Sequence, residues 1–519
     1  MSEEEKIKLL CSEIENEVLT YHDYITSNLM NKTVELLDIT KELVYEKKIL
    51  VEQYLKEIMQ RADAKRCMKV WIYSVLLEIS HNISVMEDFL NYIILENDFS
   101  VNVKYFLFYQ LKTASFSMNI DNDSIKFLLW KLFKQIIHNF RCEVDELLKK
   151  IPAEECNTNV ALVITEQFLG EDHAPTKRCL ERCKMLVESG RKVLLINTAE
   201  CLSLIGEIPF YRPRDAKYDE DYLSYDKITW QGITIPFCQC ESNMPNIGEL
   251  KILIQLVHQI RPQLVISIGG TSILANLINE IVPVLTIGLS AANMEITMTD
   301  CQTLSRKLND SDVKLLNGLG LQQNRIIQSI ANFSLPQNSR IIQRSEMGLP
   351  ENKFIIVIAG NRLKDEIDSK FIKMMCQTVD NDIVFAVIGE YNIEDFDKAP
   401  ELKEKVYFFG IISNLFGVLG VCDLYVNPFR IGGGVSGVWA LANGKPVVTM
   451  PYGDVSVNVG SEFWTESYDT MSELIKRYKE DKEFYSLMSS KARSRAKKLI
   501  DSDNEFRRVI LEFQQRVER

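Results

Sequence analysis

Across residues 1–150 apolar positions recur at intervals of three and four, in "CSEIENEVLTYHDYI", "VWIYSVLLEISHNISVMEDFLNYII" and "IKFLLWKLFKQIIHNFRCEVDELLKKI". That spacing is the period of an amphipathic helix. Proline is absent before Pro152 and glycine before Gly170, so packed helices joined by short polar turns are predicted. No repeat of fixed period emerges, so a solenoid is not supported.

At Asn157 the pattern changes. "NVALVIT", "RKVLLINTA", "GITIPFCQC", "QLVISIGG" and "VPVLTIG" are short runs, apolar on both faces, with helical segments such as "KRCLERCKMLVESG" and "IGELKILIQLVHQIRP" among them. Such alternation predicts a parallel sheet covered on both sides. It restarts after "GLPENK" with "FIIVIAG", "DIVFAVIG", "KVYFFG", "DLYVNPF" and "KPVVTMP", and ends in a charged helix, "EFRRVILEFQQRVER". The predicted class is α/β, with two facing Rossmann-like domains preceded by an all-helical one. The boundaries are 1–152 (helical), 157–340 (first sheet), 350–505 (second sheet) and 506–519 (terminal helix). The proline and polar residues near 151–157 predict that the helical part folds alone. Ligands of such sheets bind at the C-terminal ends of the strands, so a cleft between the two domains is the expected site.

Composition narrows the classes. With 519 residues, 46% hydrophobic and 25% charged, the chain reads as a multidomain globular protein. A net charge of −12 argues against general nucleic-acid binding. The start, "MSEEEKIKLL", lacks the basic and apolar regions of a secretory signal, and no run of 18 apolar residues exists, so a cytoplasmic protein without a membrane span is expected. The 12 cysteines include "CLERC" and "CQC", neither with zinc-module spacing, and read as reduced thiols.

The richest chemistry lies in "NPFRIGGGVSGVWALANGKPVVTMPYGDVSVNVG", residues 427–460. A strand ends at Pro428, "RIGGG" is a loop, and "VSGVWALANG" is a helix closed by Gly444. The first turn of a helix has unpaired N–H groups and partial positive charge, and glycines allow a phosphate close approach. Arg430 would add full charge and Ser436 a hydroxyl.

In order and spacing, "CDLYVNPF", "GGGVSG", "ALANGKPVVTMP" and "GDVSVNVGSEF" resemble the C-terminal domain of the GT-B glycosyltransferases. Within them the match is to the group of O-GlcNAc transferases and bacterial cytoplasmic protein N-glucosyltransferases. It is specific over about 406–464 and weaker over the rest of 157–505. The resemblance implies a hexosyltransferase that needs no cofactor or metal and takes a nucleotide sugar, with UDP the expected nucleotide. It implies donor contacts from Gly432, Gly433, Gly434, Val435 and Ser436, from Asn361 and Arg362 in "GNRLKDE", and from Gly410 and Ile411 in "FFGIIS". The family's ribose-holding carboxylate is replaced by Trp439, which has no acceptor. Asp454 is the candidate substitute; otherwise the donor sits differently or donor binding has been lost.

The first sheet would supply the acceptor side. His173, in the loop "EQFLGEDHAPT", is the candidate base, with Glu171 and Asp172 as successors. Gly269, Gly270, Thr271 and Ser272 end another strand and would line the cleft or cap a helix. "DED" at 219–221 reads as a solvated charge run. The expected acceptor is a protein or a glycan, with residues 1–152 available to a partner subunit. The alternatives are a binding subunit that has lost turnover and, behind it, a nucleotide-sugar epimerase.

Overall fold

A computed structural model describes the chain except residues 1–2, 21–24, 42–44, 62–64, 121, 172, 201–209, 215–216, 243, 331–332, 337–338, 341, 392–395, 397–398 and 518–519. Asp172 therefore lies outside the described residues. Two compact units result. The first comprises Met1–Val284, Ile296–Thr299 and Val313–Leu321; the second comprises Leu285–Glu295, Asp300–Asp312 and Gln322–Arg519.

Among the described residues the chain opens with helices α1 (Glu3–Thr20), α2 (Ser27–Lys41), α3 (Tyr45–Arg61), α4 (Arg66–Ser80), α5 (Ile83–Leu95), α6 (Val101–Ser117) and α7 (Asp123–Val144). Their turns manage without glycine. Asn82, Ser100 and Asn122 cap the starts of α5, α6 and α7 with side-chain oxygens. His81 takes the left-handed position after α4, at φ 47°.

The helical layer does not have a core of its own. Phe89, Phe108 and Phe133 of the helices belong to one continuous apolar cluster with Leu162, Ile164, Ile196 and Val265 of the strands. A cut near Pro152 would expose apolar surface on both pieces, so the expected independent folding of residues 1–152 meets a shared core. Proline and polar residues mark a turn here, not the edge of a separate core.

The first sheet contains β1 (Asn157–Thr165), β2 (Lys192–Asn197), β3 (Lys227–Trp230), β4 (Ile233–Gln239), β5 (Pro262–Ile268), β6 (Val284–Ile287), β7 (Cys301–Leu304) and β8 (Ile326–Gln328). Their order is β3-β4-β2-β1-β5-β6-β7-β8. β1 lies parallel between β2 and β5, and only the β3–β4 pairing is antiparallel among the described pairs. α8 (Ala174–Glu188), α9 (Ile247–Ile260), α10 (Ile273–Ile278) and α11 (Asp310–Leu319) complete this part of the chain.

The second sheet holds the five strands that the apolar runs predict: β9 (Phe354–Gly360), β10 (Ile383–Gly389), β11 (Val406–Phe409), β12 (Leu424–Val426) and β13 (Val447–Val448), in the order β11-β10-β9-β12-β13, all parallel. Helices α12 (Leu363–Glu366), α13 (Ser369–Thr378), α14 (Leu415–Val421), α15 (Gly434–Ala442), α16 (Gly453–Val459), α17 (Tyr468–Glu480), α18 (Lys482–Leu499) and α19 (Ser502–Val517) surround or follow it. β9 and β10 end side by side, Gly389 opposite Gly360. A Cβ on Gly389 would lie 1.8 Å from the Gly360 carbonyl oxygen, at φ +122°, so glycine is required there. That close approach sets the start of the 361–366 loop at the C-terminal edge of the sheet.

Candidate functional site

At the C-terminal edge of the second sheet, the loop after β12 turns into α15. Arg430 governs this loop from below. Only 3% of it is exposed. Its Nε donates to Asn427 Oδ1 at 2.8 Å, Nη1 to Glu366 Oε2 at 2.7 Å, and Nη2 to the Ala359 carbonyl and the Tyr425 hydroxyl at 2.9 Å each. Burial alone would lower its pKa, but Tyr425 and Glu366 outweigh that and raise it, so the guanidinium stays charged.

This burial changes the meaning of the glycines. A Cβ on Gly433 would meet the Arg430 guanidinium at 2.5 Å, and one on Gly360 would meet it at 2.2 Å. A Cβ on Gly434 would lie 2.6 Å from Asn458 Nδ2. These three positions are glycine because side chains of the protein itself fill the space. Gly433 also has φ +89°, where glycine is favoured.

Several expected contacts are therefore corrected. Arg430 does not face the loop's open side; its donors are spent inside the fold. The Ser436 hydroxyl also turns inward, donating to the Gly433 carbonyl at 2.9 Å beside the Tyr425 hydroxyl at 2.8 Å. Asp454, the candidate ribose acceptor, uses Oδ1 to accept from the Ser290 hydroxyl and the Ala291 and Ala292 N–H groups at 2.7, 2.8 and 2.9 Å. It closes a turn within the second unit. Trp439 donates its indole N–H to the Ser334 carbonyl at 3.2 Å and meets Phe416 edge-on, as a packing residue does.

The backbone start of α15 is partly exposed at Gly433, Gly434 and Val435. Gly433 precedes the helix without any side-chain cap, whereas Asp368, Ser467 and Asp481 cap α13, α17 and α18. Arg362 pairs with Glu366 Oε1 at 3.1 Å, its side chain 37% exposed against 11% for the glutamate. Glu366 thus lies between two arginines and pairs with both, the buried Arg430 and the part-exposed Arg362. Asn361, Gly410 and Ile411 are exposed at the ends of β9 and β11, and Ile411 is 69% exposed. Phe429, 42% exposed, stacks on Tyr452 with ring centres 4.2 Å apart.

In the first unit, Gly269, Gly270, Thr271 and Ser272 are buried, which corrects their expected place along a ligand. Ser272 caps α10, accepting from Ala275 N–H. Thr271 accepts from Lys112 Nζ of α6 at 2.6 Å and donates to Glu166 Oε2 at 2.8 Å. Glu200 lies fully buried against Ile273 N–H and the Tyr105 hydroxyl of α6. So two carboxyls and a lysine gather at the ends of β1, β2 and β5, none of them foreseen. A charged residue directly after an apolar run, as in "VITE", was the available signal for Glu166.

His173 stands at the N-cap position of α8, half-buried. Its Nδ1 is 2.9 Å from Thr176 Oγ1, which accepts the Leu169 N–H. Burial first, and then Lys217, lower its pKa, so the ring is neutral at pH 7. Glu171 is exposed nearby. Asp219, Glu220 and Asp221 form a mostly exposed turn in which Asp219 caps Asp221 N–H. No cluster of three or more metal-binding side chains and no helix long and apolar enough to cross a membrane occurs among the described residues. The described cysteines are all free thiols.

Residues 339–495 match the family model for glycosyl transferases group 1. Over its whole length the chain is similar in structure to a point mutant of the Thermobaculum terrenum O-GlcNAc transferase. That match has a TM-score of 0.54 at 11% identity and covers 100% of this chain and 97% of that one. A glycosyltransferase from Rickettsia africae aligns at 13% identity and TM-score 0.48, covering 70% of this chain and 97% of its own. Anabaena HepE in complex with UDP aligns at 15% and 0.46, covering 69% and 98%. No curated protein matches the sequence. The chain has the GT-B architecture, two Rossmann-like bodies after a helical region, and resembles the GT-B glycosyltransferases.

Proposed function

We propose that this protein is a hexosyltransferase that takes a sugar from a nucleoside-diphosphate sugar, with UDP as the nucleotide, and transfers it to a protein or glycan acceptor. The observation that carries the reading is the uncapped start of α15 at the C-terminal edge of a parallel sheet, inside the matched segment 339–495.

The chemistry follows from that position. The acceptor oxygen attacks the anomeric carbon, the bond from that carbon to the diphosphate breaks, and the leaving diphosphate gains negative charge. Backbone N–H groups at the first turn of α15 meet that charge, and their dipoles are fixed before reaction. Arg362 adds a full charge by exchanging Glu366 for phosphate; Glu366 keeps its bond to Arg430, so the loop is not left with an unpaired arginine. His173, neutral at pH 7, accepts the acceptor's proton. Cytoplasmic action and recruitment of a partner subunit through residues 1–152 belong to the same proposal.

Trp439 favours a second reading, a binding subunit without turnover, because its indole offers a ribose hydroxyl no acceptor. A thermal-shift and hydrolysis screen against UDP-, GDP- and dTDP-sugars decides between the two. Stabilisation with slow hydrolysis by one of them supports the enzyme. Stabilisation by none removes the donor site.

A further inference from the structure

Asn458 is 1% exposed, and neither its Nδ2 nor its Oδ1 has a hydrogen-bond partner. A primary amide carries two donors and an acceptor oxygen, and buried polar side chains in folded proteins are nearly always paired. The backbone carbonyl of the same residue is satisfied, accepting from Arg495 Nε at 2.7 Å, so the unmet capacity belongs to the side chain alone.

The amide has a defined direction. Asn458 lies on α16 one turn after Asp454, and both face the first residue of α15. A Cβ on Gly434 would meet Asn458 Nδ2 at 2.6 Å and Asp454 Cβ at 3.3 Å. Three residues on, a Cβ on Gly437 would meet Val455 at 3.1 Å and Val459 at 3.7 Å, so α16 packs along one side of α15 with Asp454 and Asn458 against the helix start. α15 has nine residues and no side-chain cap. An unpartnered amide donor therefore stands beside backbone N–H groups that have no partner within the helix. Two independent kinds of donor converge where an anion would sit.

We propose that Asn458 is a donor-binding residue. Its Nδ2 donates to a phosphoryl oxygen of the nucleoside diphosphate seated at the start of α15, and its Oδ1 accepts from a hydroxyl of the same ligand. The inference rests on the reading of this loop as the diphosphate site and adds a side-chain contact that the glycine motif does not contain. It also gives Gly434 its purpose: the absence of a side chain there lets the amide reach the helix start.

The test uses the full chain and calorimetric titration with UDP, GDP and dTDP, alongside the melting temperature of each variant. Asn458→Leu replaces an unpaired amide by an apolar group of similar size. The expected result is an unchanged or higher melting temperature and binding weaker by about ten- to a hundredfold, the loss of one hydrogen bond to a charged group. Asn458→Asp provides a comparison within one variant. Its carboxylate repels phosphate at pH 8, and its protonated form does not at low pH, so binding should recover as the pH falls. If the wild type binds a nucleoside diphosphate and both variants bind it as well at every pH, Asn458 is not part of the site. If the wild type binds none of the three, the diphosphate reading falls and this inference with it.

Discussion

Replacing Glu200 by glutamine tests whether the helical layer and the first sheet are joined by a protonated carboxyl. Glu200 is buried; Oε1 accepts from the Ser272 hydroxyl at 3.3 Å and Ile273 N–H at 3.0 Å, and Oε2 from Ile273 N–H at 2.9 Å and the Tyr105 hydroxyl at 3.2 Å. Burial, and then the charge of Glu166, push its pKa up to about 8, against the opposing effect of these bonds. The folded pKa lies above the unfolded value of 4.5, so folding favours the proton. The stability this provides is complete below about pH 4.5 and is lost as the pH rises through about 8. At about 1.4 kcal/mol per pH unit, the loss reaches about 3 kcal/mol by pH 7. Glutamine is neutral throughout. Its oxygen can keep the bonds to the start of α10, and its amide can donate to the Tyr105 hydroxyl. Melting temperatures of wild type and Glu200→Gln at pH 5, 6, 7 and 8 should diverge in favour of the variant. At roughly 2–4 °C per kcal/mol, the gap should widen by about 5 °C between pH 5 and 7. A gap that does not change with pH would refute the assignment of a buried proton to Glu200.

Three further outcomes follow from the second unit and the α8 loop. Arg362→Ala should weaken nucleoside-diphosphate binding by about 1.5–3 kcal/mol in a titration, with little change in melting temperature, because Glu366 still pairs with Arg430; equal affinity would remove Arg362 from the site. Trp439→Glu should lower the melting temperature without tightening nucleotide binding, since it places a charge where the indole packs against Phe416; tighter binding would mean that the ribose lies there after all. His173→Ala should abolish transfer and spare donor binding, and the acid limb of wild-type transfer should fall below pH 6.5, because burial and Lys217 lower the histidine pKa. A limb above 6.5 would contradict that environment.

The fold was largely legible because parallel strands buried on both faces are apolar throughout, and all five strands of the second sheet appear as such runs. β3, β7 and β8 do not stand out because their sequences, KITW, CQTL and IIQ, mix polar with apolar residues and make no apolar run. The glycine loop was found, but the work of its residues was not. Sequence shows an arginine beside three glycines; it does not show which way the arginine turns. Here it turns inward, and Gly433 and Gly360 are small to admit it. Glu166, Glu200 and Lys112 do not stand out as a group because they come from distant segments and gather around Thr271 only after folding. The shared core of helices and sheet was hidden for the same reason, since an amphipathic face does not name its partner.

The proposed function stands on a diphosphate held by the loop between β12 and α15. The most direct measurement compares, by titration calorimetry, the nucleoside diphosphate selected in the screen with its own nucleoside. The diphosphate should bind at least about a hundredfold more tightly, as two charge-assisted hydrogen bonds of about 1.5 kcal/mol each require, and Arg362→Ala should narrow the gap. Equal affinity for diphosphate and nucleoside, or no binding of either, would contradict it.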